Sequence, residues 1–205
     1  DEVVSIDISP SGAVGGIMVA DAANLPFIDG YFDLVFSSNV LEHVEQLEES
    51  LIEMKRVLTK KGAMIDSMPT STWKVLQVFG RPVASALRIA RKVIPGLGCH
   101  CKRPMDLSHV RNHNSGLAKR SLFARIFGQV FPSIHGVSSN HVQEFVRFRA
   151  RWWIGKFSSV ELSCYRISPL FFHSPYEFMP YKFLRLRDRI AKAGFTSVQV
   201  FWLRL

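Results

Sequence analysis

Cysteine is scarce: Cys99, Cys101 and Cys164 are the only three in 205 residues. That is too few for a disulfide scaffold, and a reducing compartment is the expected setting. No apolar run approaches the ~18 residues that a membrane-spanning helix needs. The chain starts at Asp1 and runs directly into apolar residues, without the basic, apolar and small-residue succession of a secretory signal. There is no internal repeat and no low-complexity tract. Hydrophobic residues at 47% and charged residues at 21% suit one globular domain, at most with an insertion, and exclude a disordered or fibrous chain.

Acid is the second scarcity, and it is local. Residues 1–70 carry 12 Asp/Glu against 4 Lys/Arg, whereas residues 81–151 carry 2 against 13, within a formal net charge of +9. An acidic first third and a basic remainder suggest two jobs in one chain. The basic part would attract phosphorylated substrates, an anionic membrane surface or nucleic acid, or would simply be a solvated helical surface.

Short apolar segments punctuated by turn residues come first. Val3–Ile8, Gly16–Ala20, Phe32–Ser37 and Ala63–Ser67 read as strands. Between the last two, Glu45–Leu58 reads as a helix with Leu47, Leu51, Met54 and Leu58 on one face and Lys60-Lys61-Gly62 as its stop. Alternation of this kind predicts a mostly parallel α/β sheet. From Thr72 the rhythm changes. Residues 83–94 form an amphipathic basic helix candidate, able to rest on a membrane surface. Residues 96–115 read as loop, 121–131 as a short helix and 138–157 as a long aromatic-basic helix. Residues 160–167 and 198–203 read as strands, with a basic helix over 181–193 between them.

The first three strands each end on short polar residues: Asp7, Asp21 and Ser37-Ser38-Asn39. In an open α/β sheet, ligands bind at the carboxyl ends of strands. A carboxylate there can accept both hydroxyls of a ribose, and a second one strand away can take a donor from an adenine amine. Each Asp alone is more often a turn former or helix cap. Together they suggest a nucleoside pocket.

Asp21-Ala22-Ala23-Asn24-Leu25-Pro26-Phe27, then Tyr31 to Val44 (YFDLVFSSNVLEHV), then Arg56-Val57-Leu58-Thr59-Lys60-Lys61-Gly62 resemble the class I S-adenosylmethionine-dependent methyltransferases, in the branch called methyltransferase type 11. The resemblance covers residues 1–70. It implies a Rossmann-like fold and transfer of a methyl group from S-adenosylmethionine to a small-molecule or lipid-linked acceptor. It places Asp7 on the ribose hydroxyls, Ile8 against the adenine, Asp21 and Ala22 at the adenine edge, and Ser37 and Ser38 near the methionine end.

One departure stands out. The glycine-rich loop that follows the family's first strand would precede Asp1; Gly12, Gly15 and Gly16 come after the ribose Asp and read as turn and strand-start glycines. We therefore expect an N-terminally truncated chain. Its fold would be an α/β, Rossmann-like class I methyltransferase sheet lacking its first strand, with a mostly helical insertion. The expected parts are residues 1–70 as partial cofactor core, 71–157 as basic substrate or lid insertion, and 158–205 as closing elements.

For the chemistry, His43 is the candidate base, one helical turn beyond the Ser37-Ser38-Asn39 strand end, because imidazole titrates near neutral pH. His135, Asn140 and Trp152 are substrate-binding candidates, set where the family places its recognition elements. No metal is expected. In quinone-pathway relatives a similar Glu-x-x-Glu-His segment is associated with a metal ion, but Asn39 stands in its first position here. Cys99-His100-Cys101 with His109 and His113 lacks zinc-site spacing and reads as a polar lid loop. Cys164 reads as core. The expected location is cytoplasmic, with peripheral membrane contact through residues 81–94. Two rivals remain. One is a nucleic-acid methyltransferase or RNA-binding protein, favoured by the basic segment but lacking an RNA-binding module or an Asn-Pro-Pro-Tyr tetrapeptide. The other is a non-catalytic domain that has lost its cofactor.

In the family's sheet the missing strand lies between the strands bearing Asp7 and Ser37, so its absence leaves two apolar edges. The structure should show a gap, or an abnormal direct pairing, between Val3–Ile8 and Phe32–Ser37. The coding sequence upstream of Asp1 should hold a strand and a Gly-x-Gly-x-Gly-like loop within about 30 residues; an upstream region with neither would remove the expectation of truncation.

Overall fold

A computed structural model describes residues 2–9, 16–93, 134–172 and 183–205. Two short strands, β1 (Ile6–Asp7) and β2 (Met18–Val19), pair in parallel with Ile6 opposite Met18. They form a sheet of their own. The main sheet contains β3 (Phe32–Ser38), β4 (Leu58–Pro69), β5 (Ser163–Phe171) and β6 (Val198–Arg204), in the order β3-β4-β6-β5. β3 and β4 are parallel, and β6 is antiparallel to both β4 and β5. The sheet is thus mixed, with β6 the one reversed strand and two of the three pairings antiparallel, so the α/β class is as expected but the mostly parallel pairing is not.

The expected gap is present. Among the described residues β3 pairs only with β4, and β1 pairs only with β2. Leu34 and Phe36 of β3 stay 52% and 64% exposed, large apolar side chains with little of the main sheet over them.

Helix α1 (Leu47–Arg56) buries Leu47, Ser50, Leu51 and Met54. It is shorter than expected, and Lys60-Lys61-Gly62 is not its stop but lies inside β4. The reason is competition for the last carbonyls of the helix, which have no intrahelical donor. The Gly30 N–H takes the Arg56 carbonyl at 2.9 Å and the Phe32 N–H takes that of Val57 at 2.9 Å, so the start of β3 ends the helix. The expected helix over 138–157 is two: α3 (His141–Arg147) and α4 (Ala150–Ser159). Arg149 is extended between them, and the break lets Phe148, Trp153 and Phe157 all be buried. Helix α5 (Leu184–Lys192) buries Arg187 and Ala191 and leads toward β6.

The core joins α1, α4 and the main sheet through Leu51, Met54, Val57, Met64, Trp153, Phe157, Phe201 and Leu203. Phe157 meets Phe201 edge-on at 5.4 Å. On β6, Gln199, Phe201 and Leu203 are buried and alternate with half-buried Val198, Val200 and Trp202, the two-residue period of a strand.

The chain divides into two compact units, residues 1–75 with 134–205, and residues 76–133. Helices α3 and α4 fall in the first. Helix α2 (Ser71–Val93) is far longer than the expected 83–94 segment and carries Pro82 internally. Within the second unit its Phe79 and Val83 are exposed and Ala84 is buried. No helix among the described residues is long and apolar enough to cross a membrane. The expected loop at 96–115, helix at 121–131 and Cys/His cluster at 99–113 lie outside the described residues.

Leu51 is fully buried in this core. Leu51→Ala should lower unfolding stability by about 2–5 kcal/mol through lost apolar contact and a residual cavity. Urea unfolding followed by circular dichroism reads this, and an unchanged midpoint would contradict the packing described.

Candidate active site

Two polar clusters occupy the carboxyl ends of strands. The first lies on β1 and β2. The Asp7 carbonyl accepts the Ala20 N–H at 3.0 Å, so the backbone ties Asp7 directly to the segment entering Asp21. Both side chains are exposed and shape turns: Asp7 Oδ1 accepts the Ser9 N–H at 2.7 Å, and Asp21 Oδ1 accepts the Ala23 N–H at 2.9 Å. The two expected adenosine-binding carboxylates are therefore on neighbouring strand ends, and each also does the turn-forming job open to it from sequence. Ile8 is 70% exposed and Ala22 is half-buried at the edge of the core.

The loop after Asp21 is held by Arg56. Its guanidinium donates to Glu53 Oε1 and Asp29 Oδ1, both at 2.7 Å, and to the carbonyls of Phe27 at 2.8 Å and Leu25 at 3.1 Å. Glu53 Oε2 in turn accepts the Leu25 N–H at 2.9 Å. The guanidinium beside it holds the Glu53 carboxyl below the usual range, first by hydrogen bonding.

The second cluster is at the ends of β3 and β4. Ser37 is buried, and its hydroxyl donates to Asp66 Oδ1 at 2.5 Å. Burial pushes the Asp66 carboxyl up to about 7, against the smaller opposing pull of the Ser37 hydrogen bond. Ser38 is exposed and accepts the Ser67 hydroxyl at 2.8 Å. Of the two expected serines, Ser38 is thus the one open to solvent, while Ser37 turns toward β4.

Beyond β3 the chain makes a sharp exit. Asn39 adopts φ 52°, a left-handed conformation that Asn tolerates, and its N–H donates to the Ser67 carbonyl at 2.9 Å. A 3-10 turn over Leu41–His43 follows. It buries the Glu42 side chain and leaves that of His43 48% exposed. His135 reaches the same place from far along the chain, its ring centroid 4.6 Å from that of His43 in an edge-to-face arrangement. Trp73 packs on the other side at 5.4 Å.

Backbone contacts fix this meeting. The Val137 N–H donates to the Glu42 carbonyl at 3.1 Å. Gly136 has φ 71°, and a Cβ there would come within 2.2 Å of that same carbonyl oxygen, so only glycine fits. Glu144 Oε1 accepts the His135 N–H at 3.2 Å, and Lys74 Nζ meets Glu144 Oε2 at 2.5 Å with both side chains buried. Glu42 itself has no hydrogen-bond partner on either carboxylate oxygen, and burial pushes it up to about 7. His135 is lowered, first by burial and then by the neighbouring His43. A hollow of about 10 Å³ adjoins Glu42, lined also by Leu41, Ser138, Arg147, Phe148 and Trp153, close to the smallest space that holds one water.

His43 and His135 are therefore brought together, whereas Asn140 and Trp152 are engaged elsewhere. Asn140 caps α3, its Oδ1 accepting the Gln143 N–H at 2.8 Å. Trp152 packs edge-on against buried Trp153 at 4.8 Å under the Arg147 guanidinium. Asp66, Glu42, Lys74 and Glu144 did not figure among the expected site residues. Sequence signals for three of them exist in retrospect: Asp66 interrupts an apolar strand, Lys74 is a lone cation at the start of α2, and Glu144 is the one acid between residues 107 and 160.

Comparison with known proteins bears on the first third of the chain. Residues 1–66 match the model of the family described as Methyltransferase domain, so the resemblance read from the sequence holds over that segment. A curated relative, the ubiquinone/menaquinone biosynthesis C-methyltransferase UbiE of Cupriavidus metallidurans, is 34% identical over 68 residues, 33% of this chain and 28% of its own length. The uncharacterized protein MJ0638 of Methanocaldococcus jannaschii is 50% identical over 46 residues, covering 22% of this chain and 20% of its own. The chain thus spans between a fifth and a third of the length of the curated relatives it matches. Among solved structures, an S-adenosylmethionine-dependent methyltransferase from Mesorhizobium loti aligns with a TM-score of 0.47 at 14% identity, over 98% of this chain and 79% of that one.

Asp66 makes a pH-dependent contribution to stability. Its folded pKa of about 7 lies above that of an Asp in the unfolded chain, about 3.9. Between those values the folded state holds a proton the unfolded state has lost, so this contribution is full below about pH 4 and fades as pH rises toward 7. Asp66→Asn should flatten that decline by up to roughly 1.4 kcal/mol per pH unit. Guanidinium unfolding across the range checks it; an unchanged slope would show that Asp66 ionises normally.

Proposed function

We propose that the protein is an S-adenosylmethionine-dependent methyltransferase acting on a small-molecule or lipid-linked acceptor. The observation that carries this reading is the family match over residues 1–66, which coincides with the strand ends bearing Asp7, Asp21 and Ser38. The donor set suits the adenosine part of the cofactor. Asp7 and Asp21 are exposed carboxylates on adjacent parallel strand ends joined by the Ala20–Asp7 hydrogen bond, and carboxylates accept hydroxyl and amine hydrogens without competition from a cation.

The cofactor supplies a methyl group on a positively charged sulfur, already activated for displacement. The chain's own residues bind, orient and move a proton. Asp7 takes the ribose hydroxyls, Asp21 and Ala22 take the adenine edge, and Ser38 stands at the methionine end. His43, partly exposed beside the β3 end, takes the proton that an acceptor oxygen, nitrogen or carbon gives up. His135, across from it, lines the acceptor side. The UbiE relative is named for ubiquinone/menaquinone biosynthesis, which supports a quinone-type acceptor at the lipid-linked end of the range.

Calorimetric titration of the full-length protein with S-adenosylmethionine tests the reading. One cofactor should bind per chain, and Asp7→Ala and Asp21→Ala should each weaken it about tenfold or more, the worth of a charge-assisted hydrogen bond. No binding would overturn it.

A further inference from the structure

The geometry points to a site for one divalent transition-metal ion held by the Glu42 carboxylate and the imidazoles of His43 and His135. One donor atom from each of the three residues lies within 4.8 Å of the other two. One carboxylate oxygen and two imidazole nitrogens are ligands that suit Zn²⁺ and its first-row neighbours.

Three independent features support an ion over a chance meeting. First, both Glu42 oxygens are buried and lack a hydrogen-bond partner, and the His43 Nε2 atom is 4.0 Å from Oε1, too long for a hydrogen bond. A buried carboxylate without a partner is costly, and a bound cation relieves that cost, as a proton otherwise would. Second, the third donor is fixed by the backbone. Val137 bonds the Glu42 carbonyl, and Gly136 is the residue that permits the approach. Third, the surroundings hold His135 in place: Glu144 Oε1 accepts its backbone N–H, and Trp73 packs against its ring. Lys74, the cation facing His135 from α2, is in an ion pair with Glu144.

Three protein ligands leave a position open, as in metal sites that bind water or substrate. The partial exposure of His43 puts that position toward solvent. An acceptor hydroxyl bound there would be acidified by the ion and would release its proton to solvent water, and both imidazoles would serve as ligands, so His43 would act as a free base only in the ion's absence. The site does not rest on the methyl-transfer reading, because ion binding is measured without cofactor or acceptor.

The test is calorimetric titration of the whole protein with Zn²⁺, paired with visible absorption on titration with Co²⁺. It is run in a Cys99→Ser/Cys101→Ser background to remove the other potential ligand set. One ion per chain is expected, with the d–d bands of a four- or five-coordinate nitrogen/oxygen site and a thermal midpoint that climbs with Zn²⁺ concentration. Glu42→Gln, His43→Ala and His135→Ala should each weaken Zn²⁺ about 10-fold or more, whereas His141→Ala, which alters the neighbouring imidazole, should leave it unchanged. Glu42→Gln keeps the side-chain shape and removes the buried charge, so its apo fold should melt no lower than the parent, which guards against loss by unfolding. No ion bound in this background, or equal loss with His141→Ala, would overturn the site.

Discussion

The buried ion pair between Lys74 and Glu144 is the contact on which the candidate site hangs. Their side chains are 2% and 0% exposed and meet at 2.5 Å. Losing one partner would strand a charge away from water, which costs about 3–5 kcal/mol, so the first turns of α2 and α3 are bound to stay together. The second Glu144 oxygen then accepts the His135 N–H, and Trp73, beside Lys74 in sequence, packs on the His135 ring and near Phe148. One pair thereby sets the path of the segment from residue 134 to 140. That segment brings an imidazole to a turn more than ninety residues earlier in the chain.

The other half of the site is set by strand ends. Polar residues crowd where β3 and β4 finish: Ser37 with Asp66, and Ser38 with Ser67. These are cross-strand partners in the ladder, so each pair meets without leaving the sheet, while Asp66 Oδ2 stays buried without a hydrogen-bond partner. Ser38 faces solvent. Elsewhere on β3 the exposed residues are Asp33, Leu34 and Phe36. The paired serines thus stand at the carboxyl end of the strand, where an open α/β sheet binds ligands.

Much of this was legible in the sequence where a pattern is local. The strands ending at Asp7, Asp21 and Ser37-Ser38 follow from short β-branched runs closed by polar residues, and α1 from the spacing of Leu47, Leu51 and Met54. What failed was local pattern overridden by distant partners. Lys60-Lys61-Gly62 has the composition of a helix stop, but the Gly30 and Phe32 amides claim the helix carbonyls earlier. Residues 138–157 carry an unbroken aromatic-basic pattern, yet burying Phe148 together with Trp153 requires the extended Arg149 between them. The meeting of His135 with Glu42 and His43 has no local trace. It depends on Gly136 fitting over a carbonyl, and a glycine among polar loop residues reads as any turn.

The fate of the acids in this unit shows why Glu42 stands apart. Glu53 is matched by the Arg56 guanidinium and the Leu25 amide. Glu144 is matched by Lys74 and the His135 amide. Asp66, as fully buried as Glu144, still has the Ser37 hydroxyl on one oxygen. Glu42 is buried too, and neither of its oxygens has a hydrogen-bond partner. Its backbone, by contrast, is firmly used, since its carbonyl anchors Val137. A side chain left unmatched at a position whose main chain organises the site is not a packing accident of a loose region. Burial leaves that carboxyl with only two ways to shed its cost, a proton or a cation. Two imidazoles within reach favour the cation, because each ring can offer it a nitrogen lone pair that a proton on Glu42 would leave unused.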